Sequence, residues 1–198
     1  MNNEKDSSIV DSDEKIKIIN QIQEILNYIK VKKFVKLIPE VRTNIAGALY
    51  NAIKREDVAG IDGRITIVDG MPKAAGNIKF GTAEHTSRLI LTTKKFDSSI
   101  NFVMNLRYNP ELIQAIQKKT DLEMFEVIRE NEREENRKME LTTMQWLVKK
   151  SFDKKGKIPD IIWDKGAIGK EPMIRLFAKN SNDMITKLSK ILDLINSD

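Results

Sequence analysis

The sequence has no cysteine and a single histidine, His85, in 198 residues. The first absence excludes a disulfide framework, thiolate metal sites and a cysteine nucleophile; the second excludes multi-histidine zinc centres. Any resident metal must therefore sit on oxygen ligands, which makes magnesium the natural candidate cofactor. Aromatic residues are only 6% of the chain, and its 34 basic residues are interspersed with 29 acidic ones, giving a net charge of +5. Few stacking platforms and no basic tract argue against nucleic acid as a partner and fit an anionic small molecule. No apolar run approaches the roughly 18 residues of a membrane span, and the initial "MNNEKDSSIVDSDEK" is polar and acidic rather than basic and then apolar. A soluble, cytoplasmic protein with no membrane partner is expected. The 40% of hydrophobic residues suffices for a substantial core, and abundant Lys, Ile and Glu without Cys resembles the composition of a thermophile's protein.

Residues 1–11 read as disordered. Apolar residues at 16, 18, 19, 22, 25, 26 and 29 then fall at helical spacing. The expected division is a disordered segment and arm helix over 1–35, an arm or the remnant of a linker, followed by one domain over 36–198. Within that domain "VRTNIAGALYNA" suggests an extended segment passing close to other backbone or to a ligand, and "REDVAGIDG" a loop. "RITIVDGMPKAA" reads as a hairpin turning at Asp69-Gly70. A helix is expected from Thr82 to about Lys95, a strand at "INFVMNLRY", a helix opened by Pro110 and a strand at "LEMFEVI". The charge-dense "RENEREENRKME" reads as a solvated connector. "TTMQWLVKKSF" is helical up to Gly156, and "PDIIWDKGAIGKEPMIRLFAKN" runs strand, Gly-rich loop, strand. A last helix opens on the Ser/Asn/Asp cap of "SNDMITKLSKILDLIN". Helices alternating with strands, hairpins among them, predict an α/β layer architecture with a mixed sheet.

The stretch "FGTAEHTSRLIL" holds the lone histidine. With Thr82 as N-cap, His85 stands at the third helical position, where free backbone N–H groups favour an anion; a neutral His beside an anion site is the resulting chemical picture. Arg88, one turn on, either aims at the same anion or pairs with Glu84 at i,i+4. "GKEP" is not a Walker A motif, because Asp164 stands five before Gly169 where Gly is required and Glu171 replaces the magnesium-binding Ser or Thr. Lys170 on its Gly-rich turn either holds a phosphate or caps a plain turn. Arg64 and Arg107, at two strand ends, are surface residues or anion ligands.

Taken together, "VRTNIAGAL", "GRI", "FGTAEHTSR", "FDSSINFVMNLRY" and "PDIIWDKGAIGKEPMIRLF" occur in an order that resembles the ThiN-type thiamine-phosphate synthase family. The resemblance covers about residues 36 to 196, and the family's domain is often fused C-terminally to a hydroxymethylpyrimidine kinase. It implies the joining of hydroxymethylpyrimidine diphosphate to thiazole phosphate, with release of pyrophosphate. It also implies a three-layer α/β/α fold with a mixed sheet, resembling class II aldolase and epimerase domains. Arg64 of "DGRI" and His85 of "EHTSR" match the family's catalytic positions. Relatives fused to a DNA-binding domain, which act as thiamine-responsive regulators, lack that pair, so the resemblance favours an enzyme over a module that only senses thiamine phosphate. Arg42, Asn44, Arg88, Arg107, Lys170 and Glu171 are the candidate substrate-binding residues, on motif membership and chemistry. A homodimer, a kinase fusion and a magnesium requirement are further expectations.

Overall fold

The computed structural model describes residues 2–31, 34–129 and 140–196. At its centre two six-residue strands, β6 (Phe102–Arg107) and β9 (Met173–Ala178), pair antiparallel along their full length. All of β9 and most of β6 are buried, so both read as apolar runs rather than as alternating patterns. Beyond β6 lie β1 (Ile45–Ala48), β2 (Val58–Ile61) and β5 (Ile78–Phe80); beyond β9 lie β8 (Ile161–Asp164) and β7 (Met124–Glu126). The order is β5-β2-β1-β6-β9-β8-β7, with every pair antiparallel except β7–β8. This is the mixed sheet expected. The hairpin β3 (Ile65–Val68) and β4 (Met71–Ala74) stands apart as a second sheet. Its turn is the Asp69-Gly70 pair, both at positive φ (51° and 74°) as a type I′ turn requires.

Two strands differ from the expectation. The "VAGI" within the supposed loop "REDVAGIDG" is β2, and "IKF" is the edge strand β5. The four residues of β2 are buried on both faces and include a glycine, so they carry no alternation; β5 is three residues long.

Helices cover both faces. Here α1 (Asn2–Val31), α3 (Pro110–Lys119) and α5 (Ser181–Asn196) pack on one side, and α2 (Glu84–Lys94) with α4 (Glu140–Lys155) on the other, giving the α/β/α layering. The helix α1 begins at Asn2, where the sequence suggested disorder over residues 1–11. Its buried stripe Ile18, Ile22, Ile25, Leu26 and Ile29 repeats at helical spacing and lies on the sheet. Seating it requires Gly47 in β1, since a Cβ there would stand 2.8 Å from the Phe102 ring and 2.9 Å from Ile18. The entry to α3 is as expected, with Pro110 at its start and the Asn109 side chain accepting from the Leu112 N–H at 2.7 Å. The start of α2 is not. Its N-cap is Ala83, in the left-handed region and without a side-chain cap, rather than Thr82. Residues 130–139, most of the charge-dense connector, lie outside the described residues.

Candidate active site

At one end of the sheet, where β2 and β6 finish and β1 and β9 begin, a cavity of about 800 Å³ opens on the side covered by α2 and α4. Six of the eight residues selected from the sequence line it: Arg42, Asn44, Arg64, His85, Lys170 and Glu171. The other two do not. Arg88 is ion-paired to Glu84 along α2, the i,i+4 alternative, and Arg107 faces an adjoining depression with Tyr108 and Pro172.

Backbone strain gathers around this cavity. Among the described residues four non-glycine positions have positive φ, and three of them, Arg42 (69°), Arg64 (71°) and Ala83 (57°), line it; the fourth, Asp69, is in the hairpin turn. Each such residue costs on the order of 1–3 kcal/mol, so the surrounding bonds must hold it in place. For the 40–42 segment those bonds are visible. The Glu171 carboxylate accepts the backbone N–H groups of Glu40 (2.8 Å) and Val41 (3.0 Å), the Asn105 amide donates to the Arg42 carbonyl (2.9 Å), and the Arg64 Nη1 donates to the Val41 carbonyl (2.5 Å). Asn44 spends its amide on strand ends, donating to the Ile61 carbonyl at 3.0 Å and accepting from the Ile45 and Ile61 N–H groups at 2.8 and 3.0 Å. Glu171 and Asn44 therefore shape the wall that carries Arg42 and Arg64.

His85 occupies the second position of α2, one earlier than the sequence indicated, because Ala83 is the cap. Its half-buried imidazole has no hydrogen-bond partner among the described residues and borders the cavity. Lys170 projects from the Gly-rich loop, with its Nζ 3.3 Å from the Thr143 hydroxyl of α4. The loop closes through paired backbone bonds between Ala167 and Lys170 (3.0 and 2.8 Å), and Gly166 (φ 75°) is essential to it: a Cβ there would meet the Lys170 carbonyl oxygen at 2.4 Å.

Sequence reasoning missed a buried charge cluster on the same wall. Asp164, at the end of β8 and 0% exposed, receives four donors: Arg129 Nε (2.9 Å) and Nη2 (3.2 Å), Arg175 Nη1 (2.7 Å) and the Gly166 N–H (2.8 Å). Both arginines are buried and line the cavity. Burial pushes the Asp164 carboxyl up, but the charge of Arg175 and the hydrogen bonds and charge of Arg129 outweigh it and hold the group below the usual carboxylate range. Burial also lowers the Arg175 guanidinium against the attraction of Asp164; it stays charged at neutral pH. The signal was present: a charged residue inside the otherwise apolar "MIRLFA" is rarely buried unless paired.

Apart from Asp164, which holds the two buried arginines, the cavity's carboxylates form no ion pair with Arg42, Arg64 or Lys170 among the described residues. Asp62 pairs with Lys79 at 2.9 Å, Glu84 with Arg88, and Glu171 is taken by backbone amides. Among the described residues no group of three or more carboxylate or histidine side chains could hold a metal ion. Nor is any helix in them long and apolar enough to cross a membrane.

An α/β/α domain with an arginine-lined cavity at the end of its sheet has a chemistry suited to anionic small molecules, and that defines its class. Comparison with known sequences narrows that class, since the family described as thiamine-phosphate synthase ThiN matches residues 21–190. The chain belongs to the ThiN family. It is 34% identical over 184 residues, 92% of its length, to the bifunctional thiamine biosynthesis protein ThiDN of Methanocaldococcus jannaschii, and spans 42% of that relative. It is 31% identical over 156 residues to the thiamine-phosphate synthase ThiN of Methanothermobacter thermautotrophicus, covering 79% of this chain and 82% of the relative. The crystal structure of the C-terminal domain of protein MJ0236 superimposes with a TM-score of 0.83 at 33% identity, over 92% of this chain and 97% of that one. The C-terminal domain of a phosphomethylpyrimidine kinase gives 0.82 at 31% identity, over 90% and 100%. Domains similar to this chain thus occur as parts of longer proteins, one of them named a kinase.

Proposed function

We propose that this domain joins hydroxymethylpyrimidine diphosphate to thiazole phosphate, forming thiamine phosphate and pyrophosphate. One observation carries the reading: Arg64 and His85, far apart in sequence, line a single cavity together with Arg42, Lys170 and two buried arginines. In the reaction a bond forms from the thiazole nitrogen to the pyrimidine methylene carbon. The bond from that carbon to the diphosphate oxygen breaks, and its electron pair leaves with pyrophosphate. Charge grows on both fragments, so the barrier falls where fixed cations meet the departing oxygens. Arg64, its guanidinium anchored on the Val41 carbonyl, presents a planar fork to the diphosphate. His85 hydrogen-bonds the leaving oxygen or the pyrimidine, while Arg42 and Lys170 neutralise the remaining phosphate charge.

Magnesium fits here on the diphosphate rather than in a cage of protein ligands, since this ion is commonly held by substrate phosphates and one or two carboxylates. Glu40 lines the cavity and has no ion pair among the described residues, which makes it the candidate protein ligand. Bound there, magnesium supplies further charge neutralisation of the leaving group. A cytoplasmic setting, with a pyrimidine kinase supplying the phosphorylated pyrimidine, accords with the reading. Incubating the protein with both substrates and magnesium should yield thiamine phosphate and pyrophosphate in equal amounts, and neither product when one substrate is omitted. Tight binding of thiamine phosphate without its formation would instead identify a sensing domain.

A further inference from the structure

Arg175 lies mid-strand in β9, between Asn105 of β6 and Ile162 of β8, with only 3% of its surface exposed. Asp164 holds its Nη1, and the remaining guanidinium donors, Nε and Nη2, have no hydrogen bond among the described residues. The residue lines the cavity beside Arg129, which the same carboxylate fixes through two further bonds. A nearly buried guanidinium that lines a cavity with donors left over calls for an acceptor, and an anionic oxygen is the strongest. Resting on the transferase reading, the cavity must hold a diphosphate and a monophosphate at once, and mutual repulsion places them at different points. Arg64 and His85 are only half-buried, at the solvent side where a leaving pyrophosphate can exit; Arg175 and Arg129 are deep. We propose that Arg175 and Arg129, set by Asp164, form a second oxyanion subsite, which takes the single phosphate of the thiazole substrate and of the thiamine phosphate product. Asp164 is the positioning residue of this subsite.

Steady-state rates with each substrate varied, together with titrations by thiamine phosphate and by unphosphorylated thiamine, test the assignment on the full chain. Arg175→Gln should raise the KM for thiazole phosphate about 10-fold or more, as loss of a charge-assisted donor does, with the KM for the pyrimidine diphosphate nearly unchanged. It should weaken thiamine phosphate binding by a similar factor and leave thiamine binding as in the wild type. Arg175→Lys keeps the charge beside Asp164 and should show the same split at smaller amplitude, which preserves the readout if the Gln variant fails to fold. A KM rise confined to the diphosphate, an equal rise for both substrates or no rise overturns the subsite. An inactive wild type would refute the transferase reading by itself; the contrast between thiamine phosphate and thiamine binding in the two variants would then still decide the subsite.

Discussion

Replacing Asp164 by Asn probes how much of the cavity wall depends on one carboxylate. The substitution keeps the volume but exchanges two accepting oxygens for one oxygen and one NH2 group. With the oxygen retained toward Arg129 Nε and the Gly166 N–H, the new NH2 confronts Arg129 Nη2 and Arg175 Nη1, donor against donor. Removing one partner of a buried ion pair typically destabilises by about 3–5 kcal/mol, because the other charge is left without compensation. In a protein of this size each kcal/mol shifts the melting temperature by about 2–4 °C, so a fall of roughly 6–20 °C is expected. The acid limb should change too. The Asp164 carboxyl is lowered from 3.8 by folding, so its contribution is complete above that value and disappears as pH falls through the lower folded value. Wild type should therefore lose stability below about pH 4 more steeply than Asp164→Asn. Thermal melts of both proteins from pH 7 down to pH 2 provide the comparison. Melting temperatures within 2 °C of each other at pH 7, with parallel acid limbs, would show that the arginines are held by something other than Asp164.

Arg64→Ala should lower turnover about 100-fold or more with the fold intact, since it removes a charge-stabilising donor from a half-buried turn at the cavity rim; Arg64→Lys should recover only part of the loss, because a point charge cannot replace the fork. Near-normal rates in the Ala variant would remove Arg64 from the mechanism. His85→Asn should reduce turnover by roughly 100-fold while thiamine phosphate still binds, and comparing rate profiles from pH 5 to 9 reveals whether an imidazole titration shapes catalysis; superimposable profiles and rates would leave the histidine without a role. Gly166→Ala introduces a methyl 2.4 Å from the Lys170 carbonyl at a φ of 75°. It should displace the Gly-rich loop and impair activity well beyond its effect on far-ultraviolet circular dichroism, and a fully active variant would show that the placement of Lys170 is immaterial.

The parts legible in the sequence are those with local chemistry. The Asp69-Gly70 turn, the Asn109-Pro110 helix start and the stripe of α1 follow from backbone preference and periodicity. Two strands escaped because one is fully buried and glycine-containing and the other is three residues long, so neither alternates. Thr82 looked like a cap by residue type, but the chain enters α2 through a left-handed Ala83, a conformation that side-chain propensity disfavours and only tertiary packing can enforce. In the site, Arg64, His85, Arg42 and Lys170 stood out as polar groups in recognisable stretches. Arg129 was hidden at the edge of a charge-dense run, Arg175 inside a strand and Asp164 in a comparison with a phosphate loop. Their meaning depends on a carboxylate and two guanidiniums meeting across separations of 35 and 11 residues, which no local pattern records.

The most direct test of the account is a multiple-turnover assay of the unmodified protein with both phosphorylated substrates and magnesium, quantifying thiamine phosphate and pyrophosphate against the amount of protein. The account predicts the two products in equal amounts, accumulating to many times the protein concentration. Saturable binding of thiamine phosphate with no product above the level of a protein-free control would contradict it.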